Sequence, residues 1–154
     1  MCFQVYLGSS QECTEIPYSE RWDHIFVLKH PEHSGYSGSV SLESAYLYRV
    51  GAMSCGCGLP YDFPVGQHEE WTQNNHRQLG EYLQKCLQNA EPVKLFSSWT
   101  GDEARPVEKQ RWITLQDLLA PEFYFEERQV TVVYKDQSSL QAAKDAIDPV
   151  DSDG

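Results

Sequence analysis

The sequence lacks two features that would indicate a membrane protein or a nucleic-acid-binding protein: a long apolar run and a cluster of basic residues. A membrane span needs about 20 predominantly apolar residues, and no stretch of the chain approaches that length. Lys and Arg number 12 against 23 Asp and Glu, which gives a net charge of -11. Because a phosphate backbone or an anionic lipid surface would repel such a chain, we expect no nucleic-acid partner and no membrane partner.

The start of the chain also lacks the basic stretch and apolar run of a secretory signal, so we expect a cytoplasmic protein. Walker loops, Gly-x-Gly-x-x-Gly turns and Gly-x-Ser-x-Gly elbows are absent as well, which removes the common nucleotide-binding and serine-hydrolase functions. The acidity of the chain favours solubility, and among macromolecules it favours a basic protein as partner. The sequence gives no indication of an oligomeric state.

The chain has enough apolar residues for one core, since 154 residues with 40% hydrophobic content fit a single domain. Apolar segments predict strands at residues 2–7, 25–28, 45–53, 93–99, 111–113, 123–125 and 130–134. The last two strands are expected to form a hairpin. Together these elements predict an α+β fold, a single-domain two-layer sandwich. Its mixed sheet of about five or six strands would carry one long amphipathic helix on one face.

The long helix is predicted at residues 68–90 from apolar side chains at three- and four-residue spacing. These side chains are Trp71, Leu79, Tyr82, Leu83, Cys86, Leu87 and Ala90. His76 lies beside this stripe, where we expect a residue at the edge of the core rather than a ligand. A short helix is predicted at residues 115–120, because Thr114 and Asp117 have the spacing of a capping box.

The composition changes after residue 135, which we take as the end of the α/β domain at residues 1–135. Aspartates crowd the remaining segment at positions Asp145, Asp148, Asp151 and Asp153. A segment with high charge and few apolar residues buries too little surface to offset the entropy lost on ordering. Residues 136–154 are therefore predicted to form a disordered acidic tail.

The cysteine count argues against a disulfide framework. The five cysteines are Cys2, Cys13, Cys55, Cys57 and Cys86. An odd number of cysteines in a chain without a secretory signal is typical of a reducing compartment. In that setting, closely spaced cysteines are more often metal ligands or reactive thiols than disulfide partners.

The segment Cys55-Gly56-Cys57-Gly58 is the main candidate for chemistry. Its glycines free the backbone to approach a ligand closely, and the segment joins a predicted strand to the long helix. Cys2 opens the first strand and would lie beside this loop if the first and third strands are neighbours with suitable direction. With His68 as a fourth ligand, the set would suit zinc, whereas three thiolates alone would suit Cu(I).

Three alternatives to a metal site remain open. The cysteines could be small residues that fill a tight turn, or one of them could be a reactive thiol that serves as nucleophile or redox centre. In an enzyme of that kind, Asp102 or Glu103 would assist as general base or orienting group if their strand end adjoins the loop. A Gly-containing turn with exposed acids is the favoured interpretation of that strand end. The remaining alternative does not involve the cysteines. It is an interaction module whose acidic surface and tail bind a basic protein without catalysis.

Three motifs together resemble those of a family of small uncharacterised bacterial proteins. They are the Met1-Cys2 start, the Cys-Gly-Cys-Gly loop and the phrase Phe-Ser-Ser-Trp-Thr-Gly-Asp-Glu at residues 96–103. The resemblance covers residues 1–134 and implies a bacterial, cytoplasmic origin. The family has no established activity, so the resemblance implies no mechanism and no catalytic residue.

Overall fold

A computed structural model describes residues 2–30, 39–52 and 58–147. In chain order they form β1 (Phe3–Ser9), β2 (Ile25–Lys29), β3 (Tyr46–Ala52), a 3-10 turn (Val65–Gln67), α1 (Glu70–Cys86), β4 (Val93–Trp99), β5 (Lys109–Thr114), α2 (Leu115–Leu118), β6 (Gln129–Tyr134) and α3 (Gln137–Ile147). The predicted α+β class is confirmed, with one long helix among the three.

The strands form one six-stranded sheet in the order β2-β3-β1-β4-β6-β5. All neighbours are antiparallel except β5 and β6, which are parallel. This arrangement confirms the predicted mixed sheet. Strand β1 lies inside the sheet, paired with β3 on one side and β4 on the other, and all seven of its residues are buried.

One face of the sheet packs against α1. Phe3, Val5 and Leu7 alternate along β1 onto this face, where they meet Leu79 and Leu83 of the helix. The helix is shorter than predicted, because Glu69 is extended at φ -60° and ψ 155° and serves as the N-cap. At the other end the chain leaves the helix through a turn in which the Ala90 N–H donates to the Cys86 carbonyl at 3.1 Å.

The other face of the sheet is covered in part by α3. Its Leu140 is buried among Tyr6, Phe96 and Val132. Asp136 accepts a hydrogen bond from the Ser139 N–H at 2.8 Å, so a capping residue begins the helix. The predicted disorder therefore does not extend to residues 137–147, because one apolar side chain and a cap dock the segment on the sheet. Residues 148–154 lie outside the described part of the chain, and the division at residue 135 stays a prediction.

The predicted hairpin of residues 123–125 and 130–134 is wrong. Strand β6 pairs with β4 and β5 instead. Phe125 forms only an isolated bridge to Tyr61, and its ring meets that of Phe123 edge to face at 4.9 Å in the core below α1. The aromatic run resembles a strand in sequence because core loops and strands bury the same residue types.

The predicted capping box is confirmed at the start of α2. The Thr114 hydroxyl accepts from the Asp117 N–H at 3.2 Å, and the Asp117 carboxylate accepts from the Thr114 N–H at 3.0 Å. The helix ends at Leu118, two residues short of the predicted end. This local signal depends on no distant contact, which explains why it could be found in the sequence.

Candidate functional site at one end of the sheet

The start of β1 lies beside the ends of β3 and β4. Val5 pairs with Val50 of β3 and Phe3 pairs with Trp99 of β4, both antiparallel. Cys2 precedes β1, residues 53–57 follow β3, and the segment with Asp102 and Glu103 follows β4. Three segments with candidate residues therefore leave the sheet at the same end, which we call the cysteine end. The condition set for Cys2, that the first and third strands be suitably directed neighbours, is met.

The two described residues that flank the Cys-Gly-Cys segment, Ala52 and Gly58, are in contact. A Cβ added to Gly58 would collide with the Cβ of Ala52, so only glycine allows the chain to come back this close to β3. Asn75 of α1 is fully buried and donates to the Gly58 carbonyl at 3.1 Å and to the Trp22 carbonyl at 2.9 Å. The fold thus holds both ends of the segment, while Cys55 and Cys57 themselves lie outside the described residues.

Cys2 is held at the cysteine end through its backbone. Its carbonyl accepts hydrogen bonds from the N–H and from the hydroxyl of Thr100, each at 2.8 Å. Phe3 packs on the α1 face, so strand alternation directs the Cys2 side chain toward the opposite face, as for Gln4. Cys2 is half-buried and stays within reach of solvent.

His68 follows the 3-10 turn and precedes α1. Its Nε2–H donates to the Phe63 carbonyl at 3.0 Å, and the two rings stack at 4.0 Å. Donation from Nε2 leaves Nδ1 with the lone pair that a metal ligand needs. The Tyr61 ring lies between His68 and Phe3, with centroids 6.3 Å and 4.9 Å away. His68 therefore lies on the α1 face, and Tyr61 separates it from the start of β1.

The turn after β4 places its two carboxylates differently. Glu103 is fully buried, with one carboxylate oxygen accepting from the Gly101 N–H at 2.7 Å. No described residue hydrogen-bonds its other oxygen, Oε1. Asp102 pairs with Arg105 at 3.4 Å near the surface. The expected turn with exposed acids is therefore wrong for Glu103, because its carboxylate turns inward to the N–H of Gly101, whose left-handed φ of 99° favours glycine.

Neither Cys2 nor His68 forms a metal centre with other described side chains. Across residues 2–30, 39–52 and 58–147, no group of three or more His, Cys, Asp or Glu side chains is close enough to hold a metal ion. The predicted site therefore depends on Cys55 and Cys57. It stays a prediction, because these residues lie outside the described ranges. His76 is buried, and its Nε2 hydrogen-bonds the Leu118 carbonyl, as expected for a core residue rather than a ligand.

The fold brings together a second pair of thiols, which the sequence does not predict. Cys13 and Cys86 are each buried, and they line one cavity of about 100 Å³. A hydrogen bond between the two thiols lowers the pKa of Cys13 to about 6, against the opposing effect of burial, and it raises the pKa of Cys86. No spacing in the sequence could reveal this pair, because Cys13 lies in a polar loop and Cys86 on a helical apolar stripe.

Comparison with known proteins gives no relative for this chain: no protein-family model, no curated protein and no solved structure matches it. The resemblance to small bacterial proteins therefore stays a prediction. None of the helices in the described ranges has the length and apolar character needed to cross a bilayer.

Proposed function

We propose that the protein binds a soft or borderline metal ion, zinc or Cu(I), through Cys55 and Cys57 at the cysteine end, with Cys2 as third ligand. The observation that carries this proposal is the antiparallel pairing of β1 with β3. It sets the residue that follows Cys2 beside the strand end from which the Cys-Gly-Cys segment departs. A site of this kind needs thiols that remain reduced, so we infer that the protein works in the cytoplasm.

The chemistry of the site follows from its ligands. Thiolates bind zinc at about 2.3 Å in a tetrahedral arrangement, and three thiolates without a fourth ligand suit Cu(I). Cys2 would come from a backbone fixed by two hydrogen bonds to Thr100, which lowers the entropic cost of ordering a ligand. The contact between Ala52 and Gly58 closes the segment that carries the other two thiols.

The role of His68 distinguishes a zinc site from a Cu(I) site. Its Nε2–H bond to the Phe63 carbonyl is the arrangement that orients a ligating histidine in many metal sites. However, Cys2 and His68 approach the sheet end from different faces. A zinc site with a fourth ligand requires His68 to join the thiolates, whereas a Cu(I) site does not. Loss of His68 would therefore weaken zinc binding and leave Cu(I) binding unchanged.

The test is a metal titration of the full, reduced chain with Zn²⁺ and Cu⁺ against a chromophoric competitor, with Co²⁺ as a spectroscopic probe. We expect one metal per chain and a thiolate-to-Co²⁺ charge-transfer band. Cys55→Ser and Cys57→Ser should each weaken binding by about 100-fold or more. The control is the double variant Cys13→Ser/Cys86→Ser, which should bind as the wild type does. A chain that takes up neither metal, or whose uptake survives both loop substitutions, would overturn the proposal.

A second candidate function is a thiol-dependent enzyme at the same cysteines, and the burial of Glu103 favours it. A fully buried carboxylate with one oxygen that no described residue hydrogen-bonds is costly, and a carboxylate within reach of a thiol can serve as a base or orienting group. In that case metal uptake would be absent and iodoacetamide would react with Cys55 or Cys57 faster than with free cysteine. Glu103→Gln would slow that reaction, while Asp102→Asn would leave it unchanged.

A further inference from the structure

The Cys13–Cys86 pair lies at the opposite end of β1 from the cysteine end. Cys13 follows the end of β1 at Ser9, and Cys86 is the last residue of α1. The strand separates this pair from Cys2 by about 20 Å, given its seven residues and a rise of about 3.3 Å per residue. The two thiol sites are therefore independent in space and can be tested separately.

Both cysteines are held by rigid elements. The Tyr48 hydroxyl of β3 accepts from the Cys13 N–H at 2.7 Å and donates to the Cys13 carbonyl at 3.2 Å. Tyr82 lies one helical turn before Cys86, and its hydroxyl donates to the Thr14 carbonyl at 2.7 Å. The loop that carries Cys13 is thus fixed to the sheet and to the end of α1. The juxtaposition of the two thiols is a property of the packed fold.

The cavity beside the thiols has room only for small molecules. Its volume is about 100 Å³, and Lys85 and Glu12 lie on its wall beside both cysteines. A water molecule occupies about 30 Å³ in the liquid, so the cavity admits molecules of a few heavy atoms. Hydrogen peroxide fits this space, whereas a peptide disulfide such as oxidised glutathione does not.

The two thiols have different surroundings, which gives each a different role. Cys86 ends α1, where the negative end of the helix dipole disfavours a thiolate. Hydrogen bonding from the neighbouring Cys86 thiol lowers the pKa of Cys13 to about 6, against the opposing effect of burial. Burial raises the pKa of Tyr48 and Tyr82, so both stay neutral. Glu12 is paired with Lys29 at 2.7 Å, which reduces its repulsion of the thiolate.

We propose that Cys13 and Cys86 form a dithiol that hydrogen peroxide oxidises to an intramolecular disulfide, with Cys13 as the attacked thiol and Cys86 as the resolving thiol. The Cys13 thiolate attacks one peroxide oxygen, the O–O bond breaks, and the products are a Cys13 sulfenic acid and hydroxide. The Cys86 thiol then loses its proton to that hydroxide and attacks the Cys13 sulfur, which releases hydroxide from the sulfenic acid. The proton that Cys13 releases on forming its thiolate neutralises this second hydroxide. The overall reaction therefore converts two thiols and one hydrogen peroxide into one disulfide and two waters.

The disulfide would tie the loop after β1 to the end of α1, across the residues between positions 13 and 86. Closing so long a segment restricts the unfolded chain strongly. We expect the melting temperature of the oxidised protein to rise by about 10 °C over that of the reduced protein. A reductant such as dithiothreitol should reverse this shift.

The experiment uses the full chain in the Cys55→Ser/Cys57→Ser background, which removes the proposed metal ligands. The reduced protein is treated with one equivalent of hydrogen peroxide, quenched with acid and mapped by mass spectrometry. We expect a peptide pair joined through Cys13 and Cys86. Cys86→Ser should accumulate a sulfenic acid on Cys13 that dimedone traps, and Cys13→Ser should lose thiols at least tenfold more slowly. Cys2→Ser is the control and should form the disulfide at the parent rate.

The size of the oxidant provides an independent measurement. Oxidised glutathione should react with Cys13 at least tenfold more slowly than hydrogen peroxide at equal concentration, because it does not fit the cavity. Circular dichroism and a cooperative melt of each variant show that it is folded. If Cys13→Ser or Cys86→Ser is not folded, the corresponding alanine variant, Cys13→Ala or Cys86→Ala, replaces it. Three results would each overturn the proposal: no disulfide between these residues, a stable sulfenic acid in the parent chain, or oxidation of Cys2 before Cys13.

Discussion

At the scale of single residues, Gly58 shows how a small side chain can decide the geometry of the cysteine end. The residue has Ala52 of β3 on one side and the Asn75 amide on the other. The Cys-Gly-Cys-Gly pattern predicts that both glycines supply conformational freedom. The structure shows a different requirement at Gly58, which is close approach of two backbones. Such a requirement depends on tertiary packing and cannot be deduced from local sequence.

We expect Gly58→Ala to lower the free energy of unfolding by about 1–3 kcal/mol, the usual cost of forcing an extra carbon into a packed site. The Cβ would collide with Ala52, and both the neighbouring helix and strand limit relaxation. Urea denaturation of the metal-free, reduced protein measures the change. Gly66→Ala is the matched control, because its Cβ would lie 3.3 Å from Pro121 at an exposed position. Equal stability losses in the two variants would contradict the proposed close approach.

At the scale of elements, patterns among neighbouring residues are sufficient to predict some helices and strands and insufficient to predict others. The apolar stripe of α1 and the capping box at Thr114 depend on residues three or four positions apart, so the sequence reveals them. The pairing of β6 with β4 depends on residues more than thirty positions apart, and nothing near residue 130 specifies it. The sequence predicts a disordered tail at residues 136–154 because the charge there is high and apolar residues are few. In the structure, one buried side chain of α3, Leu140, is enough to dock the helix.

Leu140 therefore carries most of the docking of α3, and its truncation is a direct test. Leu140→Ala should lower the free energy of unfolding by about 2–4 kcal/mol, since the side chain is 4% exposed and packs on β6. Ile147→Ala on the same helix is the control, with a side chain 66% exposed and an expected change within about 0.5 kcal/mol. The measurement is the urea midpoint of each variant. A tail that is disordered in solution would show no effect of either substitution.

At the scale of the whole molecule, β1 connects two places where cysteines lie. Its start carries Cys2 beside the departure points of two loops, and its end leads to Cys13 beside the last residue of α1. The first placement, that of Cys2 near the end of β3, could be predicted conditionally, because it required only that two strands be antiparallel neighbours. The second could not be predicted, because it joins a loop and a helix end that come together only when α1 packs on the sheet.

The buried His76 makes the stability of the whole fold depend on pH. Burial lowers the pKa of His76, whose ring stacks on Phe123 at 5.1 Å. In the unfolded chain the pKa is about 6.5, so below that pH the unfolded state binds a proton that the folded state resists. Stability is therefore complete above about pH 6.5 and falls as the pH drops through that value toward the folded pKa.

Urea denaturation at pH 7.5 and pH 5.5 tests this dependence in a Cys13→Ser chain, within a range above the titration of ordinary carboxylates. The substitution removes the Cys13 thiol, whose pKa of about 6 would add a response of the same sign. We expect a lower midpoint at pH 5.5 for this reference chain, which is otherwise wild type. His76→Gln should reduce this difference, because its amide can donate to the Leu118 carbonyl and does not titrate. If His76→Gln retains the dependence of the reference chain, the pH response comes from other groups, and the buried imidazole does not couple protonation to folding.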